Sequence, residues 1–223
     1  MSAGQAYVPT ARTTPSRYRE RARYDRETVH GILDEALICH VGYTNTGRQV
    51  VLPTMHARLG ETLYLHGSTG SGPMLTAAGS PDGLPVCVTV TLVDGVVLAR
   101  SAMHHSLEYR SVVAMGNARL VTDRDEKLRG LAAVLDHVAS GRSADSRPPN
   151  DRELAATTVL ALDLVEVSAK VRTGGPVDDA DDIALPYWAG VVPLTVSAGT
   201  PVPTDDLDAG VPLPPYLTPY QRT

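Results

Sequence analysis

The sequence predicts a mainly β protein: an antiparallel β-barrel with flanking helices. Apolar residues from Leu37 onward fall mostly in short runs rich in Val, Leu and Thr. Turn signals, Asn45-Thr46-Gly47 and Asp94-Gly95, separate such runs, so neighbouring strands pair as hairpins and therefore antiparallel. The order lacks the repeated strand–helix–strand units of a doubly wound parallel sheet, and closing the strands into a barrel removes long exposed edges.

Residues 1–23 mix Pro, Thr, Ser and Arg without apolar periodicity and read as an extended arm. Asp25 is placed to cap a helix carrying Val29, Ile32, Leu33 and Ala36 at helical spacing. Leu37 to Tyr43 and Gln49 to Arg58 read as a hairpin, and Thr62 to His66 as a third strand. A Gly- and Pro-rich stretch, 67–83, surrounds a short helix around Met74-Leu75-Thr76-Ala77-Ala78. Pro85 to Val93 and Val96 to Ala102 read as a second hairpin turning at Asp94-Gly95. Ser111 to Thr122 reads as a long strand whose Gly116 marks a bulge or bend.

Asp123 to His137 has an amphipathic helical pattern with Leu128, Leu131, Ala132 and Leu135 on one face. Residues 140–153 read as a polar loop, and Val159 to Val171 as the final strand. An acidic patch follows: Asp178, Asp179, Asp181 and Asp182. The domain is expected to span 24–192. The Pro-rich tail 193–223 carries enough Leu, Val and Tyr to wrap the domain or a partner rather than remain a solvated linker.

The chain has 223 residues and a formal net charge of −5. That length suffices for one well-buried domain. A mildly acidic chain is a poor candidate for nucleic-acid or anionic-membrane binding, and no apolar run approaches the roughly 20 residues of a membrane span. Arg12, Arg17, Arg19, Arg21 and Arg23 crowd the N-terminal arm, but no apolar segment follows as in a secretory signal. Cys39 and Cys87 are expected to be buried free thiols. A cytoplasmic location fits these features.

Two segments concentrate polar chemistry. His66-Gly67-Ser68-Thr69-Gly70-Ser71-Gly72 joins a strand end to a short helix, and backbone N–H groups and hydroxyls there suit an anion. No Lys follows as in a nucleotide-binding P-loop, and neither Ser68 nor Ser71 has the flanking glycines of a nucleophile elbow. The second segment, Met103-His104-His105-Ser106-Leu107-Glu108-Tyr109-Arg110-Ser111, has adjacent histidines but no identifiable acid for a triad and no close set of zinc ligands. Arg110 is a candidate partner for a phosphate or carboxylate. Lys170 and Arg172, two apart on a strand, share one face.

Several blocks together carry a resemblance: Leu52-Pro53-Thr54-Met55-His56-Ala57-Arg58, Leu63-Tyr64-Leu65-His66-Gly67-Ser68, Tyr109-Arg110-Ser111-Val112-Val113, Ser168-Ala169-Lys170-Val171-Arg172 and Leu185-Pro186-Tyr187-Trp188-Ala189-Gly190-Val191. Over roughly residues 20–195 the chain resembles the pyridoxamine 5'-phosphate oxidase-related FMN-binding split barrels, specifically their nitroimidazole-resistance-like branch. The resemblance implies a homodimer with FMN at the subunit interface and an oxidoreductase acting on a small organic substrate, nitro- or otherwise nitrogen-containing. It places Pro53 and Thr54 along the isoalloxazine, with His66, Gly67 and Ser68 near the phosphate and ribityl chain. Arg110 and Ser111 reach the flavin of the neighbouring subunit, and Lys170 and Arg172 sit at the pocket rim. Met55, Ser71 and Tyr109 complete the cofactor-binding set, and His66 is the implied catalytic residue.

One departure stands out. The family places a basic residue before the Met-Leu pair to hold the FMN phosphate, and this chain has Gly72-Pro73 there. Losing a charge-assisted contact costs about 1.5–3 kcal/mol, a tenfold to hundredfold loss of affinity. Two alternatives to FMN chemistry therefore stay open. One is a haem protein on the same barrel, with His66, His56, His104 or His105 as axial ligand. The other is a barrel that has lost FMN and serves as a binding module or cofactor-independent enzyme.

Overall fold

The structure, a computed structural model, describes residues 6–218 and 220. In chain order the elements are β1 (Ala22–Arg23), α1 (Arg26–Glu35), β2 (Ile38–Asn45), β3 (Arg48–Leu59), β4 (Thr62–Ser68), α2 (Gly72–Ala78), β5 (Leu84–Leu98), β6 (Ser106–Leu120), α3 (Arg124–Val138), α4 (Asp151–Ala156), β7 (Thr157–Asp163), β8 (Glu166–Arg172) and β9 (Gly190–Pro193). All strand pairs are antiparallel. Six strands close on themselves in the order β6–β7–β4–β3–β2–β5, with β5 returning to β6. β8 and β1 extend the sheet beyond β6, and β9 lies on β5. This is the antiparallel split barrel that the sequence predicts.

Local chemistry sets the boundaries. Asp25 accepts the Thr28 N–H and Asp123 the Glu126 N–H, capping α1 and α3. The β2–β3 turn has Thr46 and Gly47 at φ 46° and 78°, the left-handed pair that matches strand twist. Strand alternation then sorts the side chains. Cys39, Val41, Val86, Val88, Val90, Val112, Ala114, Val167 and Ala169 are buried in one core with Leu63, Leu65, Leu160 and α1's Val29, Ile32 and Leu33. The N-terminal arm packs onto the barrel through Tyr7, which is buried, and its hydroxyl donates to Glu61 Oε2 at 2.8 Å.

Four elements differ from expectation. Asp94-Gly95 is no hairpin turn. β5 runs through it with a register shift, a bulge that leaves Asp94 free to bind Arg110. The reversal comes later, around a 3₁₀ turn at Ala102–His104. The expected last strand is two strands split at Leu164-Val165, where Leu164 N–H donates to Glu61 O. The expected polar loop, 140–153, ends in helix: α4 starts at Asp151 and runs on to Ala156, with a capping box between Asn150 and Glu153. Finally, Cys87 is exposed, because alternation aims it outward, whereas Cys39 is buried; both are free thiols.

α3 covers the opposite side of β4 and β7, where Tyr64, Val121, Val159 and Ala161 form a second core. Gly130 lets the helix approach: a Cβ there would lie 2.9–3.4 Å from Tyr64 ring atoms. Tyr64 in turn donates to Glu126, which Arg119 also holds. Gly130→Ala gains about 1 kcal/mol of helix propensity against an overpacking cost of about 1–3 kcal/mol. The variant is expected to unfold at lower urea concentration than the parent, and an unchanged or raised midpoint would show that α3 yields freely.

Candidate functional site

Five strands present one continuous outer face. The register aligns Pro53 with His40, Thr89, Val113 and Ser168 in a row across β3, β2, β5, β6 and β8. Adjacent rows hold Met55 with Ile38, Thr91 with Ser111 and Lys170, and Val93 with Tyr109 and Arg172. Its β2–β3 part is apolar and open, with Ile38 50% exposed, Val51 64% and Met55 39%, and its β6–β8 part is polar. Six of the residues implicated by sequence thus come together here: Pro53, Met55, Tyr109, Ser111, Lys170 and Arg172. Thr54 and Arg110 do not join them. Thr54 pairs with the buried Cys39, so it points to the inner side.

Arg110 is committed elsewhere. Its guanidinium grips Asp94 at 2.8 and 2.9 Å and both oxygens of Glu35 at the end of α1. The bonds to Glu35 and Asp94 push its pKa up. Arg172 is likewise occupied, buried and donating to Gly174 O and Gly175 O. Lys170 Nζ lies 5.9 Å from the Tyr18 ring centroid. Ser111 donates to Lys170 O.

The other half of the site is the end of β4. Thr69 N–H donates to Ala156 O, and Gly70 N–H lies 3.4 Å from Ser68 Oγ. Gly67 is pressed close to α2: a Cβ there would meet Met74 at 3.1 Å and Ser71 Oγ at 3.2 Å. A Cβ on Gly72 would lie 2.8 Å from Tyr43 Oη. Pro73 occupies the first turn of α2, where its missing N–H costs nothing. Two buried polar atoms here have no hydrogen-bond partner among the described residues: His66 Nδ1 and Ser71 Oγ. They lie on opposite sides of β4, since His66 pairs with Val159 and faces its side, while Ser71 lies where a Gly67 side chain would point. Each such atom costs about 1–3 kcal/mol unless a water, ion or ligand group satisfies it.

Five of the other histidines have partners away from β4. His56 Nε2 lies 2.9 Å from Leu33 O and His137 Nε2 2.7 Å from Ala36 O, so two packed imidazoles close the C-terminal end of α1. His30 joins the Tyr7–Glu61 network. His104 Nε2 lies 3.2 Å from Asp179, and His105 Nδ1 3.0 Å from Ser101 O. His40 is the site residue the sequence reading missed. It stands exposed on the outer face beside Pro53, and its place between the apolar Cys39 and Val41 was the available signal. Two surface clefts, of 490 and 370 Å³, contain neither His66 nor the outer-face residues, although Arg110 borders the second.

A closed antiparallel barrel with an exposed outer sheet face defines a split-barrel fold. The sequence profile of pyridoxamine 5'-phosphate oxidase matches residues 25–171, and the chain belongs to that family. The structure is similar to the flavocytochrome Anf3 from Azotobacter vinelandii (TM-score 0.89, 37% identity), over 97% of this chain and 100% of that one. It is also similar to an FAD- and haem-binding protein from Mycobacterium smegmatis (TM-score 0.82, 40% identity), over 89% of this chain and 96% of that one. A 5-nitroimidazole antibiotic resistance protein from Bacteroides thetaiotaomicron shares the fold at TM-score 0.56 and 22% identity, over 67% of this chain and 86% of that one. No curated protein matches the sequence. Among the described residues, no helix is long and apolar enough to cross a membrane.

Burial lowers the His66 pKa below the ordinary imidazole value, so the ring is neutral at pH 7. The unfolded chain protonates this residue near pH 6.5 and the folded chain at lower pH. Unfolded molecules therefore bind more protons between the two values, and folded-state stability falls as pH drops below about 6.5. NMR titration of the cofactor-free protein should give His66 a midpoint below 6.5. A midpoint above that value would contradict its desolvation.

Proposed function

We propose that this chain is a flavin- and haem-binding redox protein that works as a homodimer. FAD is the flavin of this reading, and FMN alone is its competitor. The observation that carries it is the His66 imidazole: neutral, with a buried nitrogen that no described residue satisfies. That is the state in which an imidazole ligates iron. The two structures that match nearly the whole chain at 37% and 40% identity are a flavocytochrome and an FAD- and haem-binding protein, which supports the same assignment. The missing cation at Gly72-Pro73 supports a flavin whose affinity does not hang on a terminal FMN phosphate.

Flavin and haem, when bound, supply electron transfer to a small substrate. The chain supplies the surroundings. Pro53 and Met55 give a flat apolar patch for an isoalloxazine ring, and Ser111 and Lys170 offer polar groups beside it. Ser68, Ser71 and the backbone of 67–71 provide donors at the end of β4. Because the outer face is open in one copy, a second copy laid over it would exclude water and complete the site. A small nitro- or nitrogen-containing organic acceptor remains the substrate class of this reading.

The absorption spectrum tests the cofactors. Purified protein should show flavin bands and a Soret band, and denaturation should release FAD. His66→Ala should lose the Soret band, keep the flavin, and leave the cofactor-free protein as stable as the parent, since the substitution removes a partnerless nitrogen. A Soret band that survives in His66→Ala removes His66 as the ligand. FMN without haem would favour the flavin-only oxidoreductase.

Cys87 tests the dimer. It sits on the outer face, opposite Gly42 and Met115, while burial holds Cys39 unreactive with its pKa pushed up to about 12. Alkylation of Cys87 should slow markedly as protein concentration rises. A rate independent of concentration, in protein that sediments as a monomer, would remove the dimer from this reading.

A further inference from the structure

The C-terminal segment is pinned at both ends and free between them. Leu194 N–H donates to Asp94 O just beyond β9. At the far end, Tyr216 donates to Asp145, and Tyr220 donates to Val138 O. From 192 to 213 every residue is exposed. Val196 is 101% exposed, Val202 88%, Val211 53% and Leu213 52%. The hydrogen bonds inside this stretch are its own turns, Leu207 to Thr204 and Val211 to Asp208. The stretch is anchored at both ends, and its Val196 and Val202 lack a surface that would bury them.

Charge identifies that surface. Between Arg172 and Arg222 there are seven aspartates and no Lys, Arg or Glu; within the first 26 residues there are six arginines. Asp205, Asp206 and Asp208 make no ion pair with a described residue, nor do Arg17, Arg19 and Arg23. Within one copy the two groups do not pair. The acidic segment leaves from β9 at one edge of the layer β9–β5–β6–β8–β1, and the arginine arm lies along β1 at the other. Four strand spacings separate those edges, roughly 19 Å. The outer face lies between them. Such a surface is self-complementary about a two-fold axis that runs along the strands through its middle, which sets the acidic edge of one copy over the basic edge of the other.

We propose that residues 194–213 form a clasp that closes on a second copy of this chain. Asp205, Asp206 and Asp208 of each clasp meet the arginine arm of the other copy, and the clasp valines cover the rim of its outer face. The clasp rests on the dimer reading above and adds the segment that holds the dimer and its charge register.

The test uses full-length protein with its cofactors and measures the monomer–dimer constant by sedimentation at low and high salt. Wild-type association should weaken as salt screens the contact. One variant combines Asp205→Lys and Asp206→Lys; another combines Arg17→Glu and Arg19→Glu. All four residues are exposed in one copy, and circular dichroism checks that each variant folds. Each pair of changes alone should weaken the dimer by about tenfold or more, and all four together should recover most of that loss. No weakening, or weakening without recovery, overturns the clasp. Val51→Asp on the outer face separates the two ideas. If it dissociates the dimer while the charge variants do not, the dimer stands and the clasp falls. A wild-type protein that is monomeric at every concentration overturns both.

Discussion

The long antiparallel pairing of β5 with β6 is the constraint on which the rest depends. It closes the barrel, because β5 also holds β2 and β6 also reaches β7. β6 serves two neighbours on its other edge: β8 along Tyr109–Met115, then β7 at Arg119 and Leu120. The transition occurs beside Gly116, where a Cβ would come within 2.9 Å of Leu162. A side chain there would hold the two halves apart. The register of β5 on β6 also fixes the outer face, because alternation leaves no freedom once Val88, Val90, Val112 and Ala114 are buried.

Much of this was legible from local chemistry. The cap at Asp25, the turn at Thr46-Gly47 and the bend at Gly116 each follow from a residue type whose preference survives in the fold. What was not legible depended on distant partners. Asp94-Gly95 has the composition of a hairpin turn, but strand β9 and the guanidinium of Arg110 hold it extended. Leu164-Val165 carries no Gly or Pro to announce a chain reversal. α4 was overlooked although Asn150 and Glu153 have capping-box spacing. In the site, alternation correctly put Lys170 and Arg172 on one face. It gave no hint that Arg110 would be captured by Asp94 and by Glu35, 75 residues away, or that Arg172 would be buried under the loop that follows it.

The site's chemistry shows in what the fold leaves unfinished. Most polar groups around it are satisfied: Arg110 and Arg172 are occupied, the β4 loop is tied to α4, and five histidines have their partners elsewhere. His66 Nδ1 and Ser71 Oγ are buried and have no hydrogen-bond partner among the described residues, as do Arg26 Nη1 and Arg100 Nε elsewhere. Native proteins rarely tolerate such atoms except where a water, ion or ligand completes them. The sheet face repeats the pattern on a larger scale, with apolar side chains exposed in the one region where the family resemblance places a cofactor and a second subunit.

The placement of β7 bears on how the chain is made. β4 is flanked by β3 and β7, and β7 is not synthesised until residues 157–163. While the ribosome adds the intervening residues, β4 presents an open edge next to a partly formed core. An open apolar edge is a template for pairing with another nascent chain. Residues 124–138, which become α3, emerge before β7 and lie against β3 and β4 in the finished fold. A helix resting there would cover the apolar face of β4 that Tyr64 presents, while the strand's free edge waits for β7.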